Sequence, residues 1–347
     1  MKILVWTTGT PTNGDGQFHY RINTPLAEAA YQGLCSWEYA EMVTGDLVLR
    51  NNVVVQHRAA NEDMMDFFET VSPARDKLVV VEHDDDMLNL REDCPMFVLG
   101  SYPWADYESK LKPAIIRSFE MADLITVSVP HLKRVYEQYT DTPIVVLPNT
   151  VDEVLLTLDP PVRQPGEPLA VGWAGSGTHD VDWHAYAPAV RKALEEIDAH
   201  LMLMGADYRK LIGYEFADYI PWTDNIAEYY AIVNTFHVSL APLTDDLWNR
   251  SKSPLKALEA GALGVPIVAS DSTPYRDFVR HGETGFLCKD DEDWTKALRA
   301  LENDEAMRRE MGLNGRRLAA EFTTQKWAPV WIRSYLDALR RKLGVTA

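Results

Sequence analysis

LAPLTDDLWNRSKSPLKALEAGALGVPIVASDSTPYRDFVRHGETGFL, residues 240–287, holds a strand end at Pro242, a polar loop, a helix opening near Pro254 and a new strand over residues 266–269. Strand, crossover helix, strand is the repeating unit of a parallel sheet. In open α/β sheets ligands bind beyond the carboxyl ends of the strands, and a helix N-terminus offers free N–H groups and positive potential to an anion. Lys252 sits in the loop just before this helix and Lys256 four residues on, so both ammonium groups are expected to face one anion. Glu259, farther along, offers a bidentate acceptor to a pair of hydroxyls such as those of a ribose. The plainer expectation is that the lysines are solvated and that Glu259 pairs with Lys256 three residues back.

Outward from this block the same alternation runs through the chain. In the first half, strands are expected over residues 3–7, 53–57, 78–82, 124–127 and 144–147, with helices over 24–34, 61–71, 108–122 and 129–139. The stretch DPPVRQPGEP, residues 159–168, holds four prolines and a glycine and cannot continue a helix or a central strand. Beyond it, strands are expected over 170–174, 201–204, 219–222, 238–241 and 266–269. Helices are expected over 183–197, 226–233, 254–263, 291–301, 305–321 and 324–343. The domains are therefore 1–158 and 169–323, joined by a linker at 159–168, with a helix over 324–347 packing back toward the first domain. That helix carries Trp327, Trp331, Ile332, Tyr335, Leu336, Leu339 and Leu343 on one stripe, read as packing on protein and not on a membrane.

The chain has 347 residues, 46% apolar and 25% charged, the balance of a globular protein large enough for two cores. Its 34 basic and 52 acidic residues give a net charge of −18, which disfavours general binding to nucleic-acid backbones. Cys35, Cys94 and Cys288 lie far apart with no paired spacing, which speaks against a disulfide framework or a cysteine zinc site and fits a reducing compartment. The N-terminal apolar run spans only residues 3–6, too short for a secretory signal, and no run approaches a bilayer span. A cytoplasmic protein without stable membrane insertion is the expectation.

The 240–287 block resembles the donor-binding region of retaining GT-B glycosyltransferases, the glycogen synthase and sucrose-phosphate synthase-like group (glycosyl transferases group 1). That pattern has a glutamate eight positions before a second, then an alanine- and glycine-rich helix end and a strand like GVPIVAS. Glu259 matches the second glutamate, which implies a contact to the nucleotide ribose; the first position is Ser251, a departure that removes the usual carboxylate contact to the transferred sugar. Lys252 and Lys256 resemble the cations that neutralise the donor diphosphate. In the run VGWAGSGTHDVDW, Gly175, Ser176 and Gly177 follow a strand where small residues let the backbone approach a phosphate. His179 and Asp182 in the same run are read as a helix-start cap, with a metal pair as the alternative. PWTDNIAEYY resembles the loop beside the nucleobase, which implicates Trp222 and Thr223. The closing HGETGFL is read as a structural turn.

The resemblance covers nearly the whole chain and implies an α/β GT-B fold of two Rossmann-like domains facing each other across a cleft. It implies a nucleotide-sugar donor, UDP-, GDP- or TDP-linked, retention of anomeric configuration and no required cofactor or metal. In the first half, TTGTPTNGDGQFHYRI resembles the loop that approaches donor phosphate and acceptor together, with Gly14 and Gly16 at the cleft and Arg21 as a cation for the leaving diphosphate. VVVEHDDDML resembles a run in uncharacterised, often phage-encoded, glycosyltransferase-like sequences; His83, Asp84 and Asp85 would project from a strand end and orient an acceptor hydroxyl. LPNTVD resembles the crossover between domains, which puts Asn149 on the cleft. The acceptor stays open among protein, glycan, lipid-linked sugar, small molecule and modified DNA base. Three rivals stand beside this reading. They are a GT-A transferase with a metal on Asp84, Asp85 and Asp86, a non-catalytic nucleotide-sugar-binding scaffold, and a sugar-nucleotide epimerase of GT-B shape.

Overall fold

The structure, a computed structural model, describes residues 1–7, 16–58, 62–98 and 102–345. The chain forms two compact units: Met1–Thr150 with Ser251–Ser253 and Thr324–Ala347, and Val151–Arg250 with Pro254–Thr323. The change of unit thus comes at Thr150, ahead of the proline-rich stretch 159–168.

The first unit is built on β1 (Lys2–Thr7), β2 (Ser36–Ala40), β3 (Val53–His57), β4 (Leu78–His83), β5 (Leu124–Val127) and β6 (Ile144–Val146), in the order β2-β1-β3-β4-β5-β6. All neighbours are parallel. Parallel strands covered on both faces read as continuous apolar runs, and β4 shows why. Val79 and Val81 enter one core with Phe119 and Tyr136, while Leu78 and Val80 enter the other with Trp331 and Tyr335. The Thr324–Leu343 helix supplies that second core, so its aromatic stripe packs on the protein.

The second unit repeats the plan with β7 (Ala170–Gly175), β8 (His200–Gly205), β9 (Ala217–Ile220), β10 (Val238–Ala241), β11 (Ile267–Ser270) and β12 (Gly285–Cys288), in the order β12-β11-β10-β7-β8-β9, again all parallel. The sequence reading missed β2 and β12. Both are edge strands; β2 is half exposed and carries Glu38 mid-strand, and β12 is four residues long inside what reads as a turn. Residues 108–122 are not one regular helix: a π-type turn at Tyr107–Leu111 precedes the α-helix Lys112–Met121, where Pro113 lacks the N–H an α-helical ladder needs.

The Leu255–Ala262 helix ends in a Schellman motif: Val265 N–H donates to Ala260 O (2.8 Å) and Gly264 N–H to Gly261 O (2.9 Å), with Gly264 at φ +74°. This helix presses its backbone onto the Glu305–Ala319 helix. A Cβ on Gly312 would lie 2.0 Å from the Gly264 carbonyl oxygen, and one on Gly261 would lie 2.9 Å from that of Gly315. Only glycines allow this approach, which fixes the axis of the helix carrying Lys256 and Glu259.

Candidate functional site

In the second unit, residues from four separate stretches meet beyond the carboxyl ends of β7 and β8. Lys256, in the first turn of the Leu255–Ala262 helix, donates through Nζ to the Ala174 carbonyl and lies 5.2 Å from the Trp173 ring centroid. Gly175 makes this possible: a Cβ there would sit 2.9 Å from Lys256 Nζ and 2.5 Å from Trp173 Cζ2. Gly205, at φ +95°, is equally constrained, since its Cβ would meet Gly175 O at 2.2 Å and Trp222 Cε3 at 2.9 Å. Gly175, Trp222 and Lys256 are therefore brought together, with Trp173 and Gly205 as members the sequence did not single out.

Glu259 lies one turn beyond Lys256 and is buried, and its Oε2 accepts a 2.8 Å hydrogen bond from Tyr229 Oη. Burial raises the Tyr229 pKa well above 10, with Glu259 acting in the same direction, so the hydroxyl keeps its proton. The Tyr229 ring stands 6.0 Å from that of Trp222, a residue that is 44% exposed. Thr223 is engaged locally instead: its hydroxyl donates to Glu228 Oε2 (2.6 Å) and accepts from Asn225 N (3.1 Å) at the start of the Ile226–Val233 helix. Ser176 bonds to Thr178 (2.8 Å), and Gly177 opens a short 3₁₀ turn with clear space where a side chain would be.

His179 stands at the N-cap of the Asp180–Glu196 helix, yet its side chain makes no capping hydrogen bond. His179 Nδ1 contacts Asp182 Oδ2 (2.8 Å), and Asp182 Oδ1 accepts from Thr244 N (2.8 Å), Thr244 Oγ1 (2.8 Å) and Asn249 Nδ2 (3.0 Å). The carboxylate thereby fastens the loop after β10 to the start of the Asp180–Glu196 helix.

Ser251 and Lys252 belong to the first unit, so the two lysines read as partners sit in different units. Ser251 is fully buried and its Oγ has no hydrogen-bond partner among the described residues. Lys252 lies near enough to Asp85 to favour its ionised form.

The first unit corrects three expectations at the end of β4. His83 does not project outward: by the strand's two-residue alternation it follows Val79 and Val81 into the core, with Phe119 at 5.6 Å and Tyr136 Oη at 2.9 Å from Nδ1. Burial lowers its pKa to about 3, so it is neutral. Tyr136 Oη donates to Asp85 O (3.1 Å) and accepts from Met87 N (3.2 Å), which assigns the His83 proton to Nδ1. Second, the three aspartates do not converge. Arg58 pairs Nε with Asp84 Oδ1 (3.0 Å) and Nη2 with Asp85 Oδ2 (3.0 Å), whereas Asp86 accepts from Leu88 N (3.1 Å) and Asn89 N (3.2 Å). Burial opposes ionisation of Asp84 but Arg58 outweighs it, and the net shift is downward; burial and the Asp84 charge push Asp85 up to about 6. No group of three His, Cys, Asp or Glu side chains is placed for a metal ion among the described residues.

Third, Arg21 is fully buried and points away from solvent. Its Nε donates to Glu82 Oε1 (2.7 Å), its Nη1 to Leu147 O (2.5 Å) and Asn149 Oδ1 (3.0 Å), and its guanidinium lies 5.3 Å from the Trp331 ring. Asn149 Nδ2 in turn donates to Ser253 Oγ (2.8 Å). Glu82 faces the opposite core from His83, in a cross-strand row with Thr7, His57 and Thr126. The sequence reading passed over Glu82 and His57; a charged residue inside an otherwise all-apolar strand was the available signal. Burial pushes the Glu82 carboxyl upward, against Arg21. Gly14 lies outside the described residues, and an added Cβ at Gly16 would meet open space.

The fold is that of solved GT-B proteins. The chain is similar to sucrose-phosphate synthase from Thermosynechococcus elongatus, with a TM-score of 0.66 at 14% identity over 98% of this chain and 99% of that one. It is also similar to Anabaena HepE, solved in complex with UDP and glucose, with a TM-score of 0.64 at 13% identity over 97% of this chain and 100% of that one. Two separate six-stranded parallel sheets, one in each unit, overturn the GT-A alternative. Among curated proteins, an uncharacterized glycosyltransferase of Haemophilus influenzae is 30% identical over 117 residues, 33% of this chain; the chain spans 31% of that relative's length. No helix among the described residues is long and apolar enough to cross a membrane. Residues 171–304, which contain Lys256, Glu259, Tyr229 and Gly175, match the family model of Glycosyl transferases group 1.

Proposed function

We propose that this protein is a glycosyltransferase that moves a sugar from a nucleotide-linked donor, with the donor held by the second unit. One observation carries the reading. Inside the stretch that matches the family model, Lys256 is held at a helix start beside the glycine-lined end of β7, with Glu259 one turn away. Cleaving the bond between anomeric carbon and phosphate builds charge on the diphosphate. A fixed ammonium group and the positive end of a helix beside it stabilise that charge more in the transition state than in the ground state. Glu259, oriented by Tyr229, receives the ribose hydroxyls, and the exposed indole of Trp222 lies beside the base.

The resemblance of the donor block to retaining enzymes supports retention of configuration. UDP, GDP and TDP sugars are the donor candidates; HepE, a similar fold, was solved with UDP and glucose. The first unit takes the acceptor, with Asp84, Asp85 and Arg58 as the polar groups nearest the end of β4. The three separated, unpaired cysteines support a cytoplasmic setting. The second reading, nucleotide-sugar binding without transfer, is favoured by Ser251, which stands where the pattern has a glutamate and whose buried Oγ has no hydrogen-bond partner among the described residues.

Thermal unfolding with UDP, GDP, TDP and their sugars tests the reading, since a ligand of the native state raises the melting point. Slow donor hydrolysis without acceptor supports transfer; binding without any hydrolysis supports the second reading. No shift with any nucleotide sinks both.

A further inference from the structure

Trp173 is buried near the end of β7 and boxed by three rings, with Tyr208 at 5.3 Å, Trp183 at 5.6 Å and His179 at 5.7 Å between centroids. The Lys256 ammonium lies 5.2 Å from the same indole, whose π-system attracts a cation. Any shift of the indole therefore shifts the amine. Two of the bracing rings, His179 and Trp183, come from the stretch that opens the Asp180–Glu196 helix, and Asp182 stands between them. Asp182 is buried, and its two oxygens have separate tasks. Oδ1 accepts from Thr244 N, Thr244 Oγ1 and Asn249 Nδ2, which pins the helix start to the loop after β10. Oδ2 meets His179 Nδ1 at 2.8 Å. A carboxylate that accepts on both oxygens assigns the imidazole proton to Nδ1 and fixes the turn of the ring, which stands at 88° to Trp173.

We propose that Asp182 is a positioning residue for the donor diphosphate: it turns His179, His179 braces Trp173, and Trp173 steadies the Lys256 ammonium. This rests on the reading in which Lys256 meets the donor phosphates. The relay runs wholly within the second unit, through contacts of 2.8, 5.7 and 5.2 Å. Its sign separates it from plain electrostatics. A buried negative charge near an anion site repels the anion, so removing that charge alone would tighten binding. Asp182→Asn keeps the size of the side chain and an oxygen for Thr244 and Asn249. It cannot accept on both sides, however, and an amide NH2 turned to His179 Nδ1 no longer holds the proton there. Positioning therefore predicts weaker binding where charge alone predicts stronger.

The test measures binding of UDP, UMP, GDP and GMP by calorimetry to the full chain and to Asp182→Asn, His179→Ala, Lys256→Ala and the His179→Ala/Lys256→Ala double variant. His179→Ala carries the test if Asp182→Asn fails to fold. Diphosphate affinity is expected to fall about fivefold in Asp182→Asn and in His179→Ala, the scale of one lost cation–π contact. The preference for diphosphate over monophosphate should fall by the same factor, which a general loosening of the fold would not produce. The double variant should bind no more weakly than Lys256→Ala, because His179 acts through that amine. Wild-type or tighter diphosphate binding in either folded single variant overturns the proposal. So does an equal loss for mono- and diphosphate, or additive losses in the double variant, which would mean that His179 meets the ligand itself. In each of these cases a loss in Lys256→Ala leaves the donor reading standing. A wild-type protein that binds no nucleoside diphosphate overturns that reading, and the proposal with it.

Discussion

Tyr229 donates a 2.8 Å hydrogen bond to Glu259 across 30 positions of sequence, and both side chains are buried. The bond fixes one carboxylate oxygen and therefore the direction in which the group accepts from a ligand. Tyr229→Phe removes only the hydroxyl. Donor affinity should drop about tenfold with little change in melting temperature, as expected for a hydrogen bond to a charged group. Because burial keeps the phenol protonated, the loss should be the same at pH 6 and pH 8.

Lys256→Ala and Glu259→Ala should each cut donor affinity by roughly tenfold to a hundredfold and leave the fold intact. Gly175→Ala should mimic Lys256→Ala, because its methyl would fall 2.9 Å from Lys256 Nζ and 2.5 Å from Trp173 and displace the amine. Titration with nucleoside diphosphate checks all three. Wild-type affinity in Gly175→Ala would show that the amine's place does not matter.

Gly312→Ala tests what holds the Leu255–Ala262 helix in position. Its methyl would lie 2.0 Å from the backbone oxygen of Gly264, which cannot rotate away, so the helices must part. A loss of at least about 2 kcal/mol in urea unfolding is expected, with a smaller loss for Gly261→Ala.

His57 and His83 make the first unit acid-sensitive. Burial holds each folded-state pKa near 3, below the ordinary value of 6.5. The unfolded chain then binds protons the native state refuses, so the stability each contributes is present above pH 6.5 and is lost as pH falls toward 3. Between pH 7 and pH 4 the loss is about 3 kcal/mol per histidine. His83→Gln should therefore trail the wild type by less at pH 4 than at pH 7 in denaturant unfolding. A constant gap would mean that His83 is not held neutral by its burial.

Much of the architecture was legible because its signal is local. Val79 to Val81, Val53 to Val55 and the GVPIVAS run are apolar on successive residues, which only a strand covered on both faces needs, and the proline cluster at 160, 161, 165 and 168 interrupts them. Lys256 and Glu259 were legible for the same reason: helical spacing puts them on adjacent turns beside a strand end. The edge strands β2 and β12 were not, since half-exposed or very short strands lack the continuous run.

The sequence by itself determined the alternation of strands and helices and the spacing of Lys256 and Glu259 on one helix, because these follow from neighbours a few residues apart. Tertiary structure alone decided which way a charged side chain faces and what meets it. Glu82 and His83 are adjacent in the chain yet enter opposite cores, and Arg21 finds its partners at positions 82, 147 and 149. Such pairings depend on which strands lie side by side. The period of the sequence says that a strand has two faces, and only the packed sheet says what covers each.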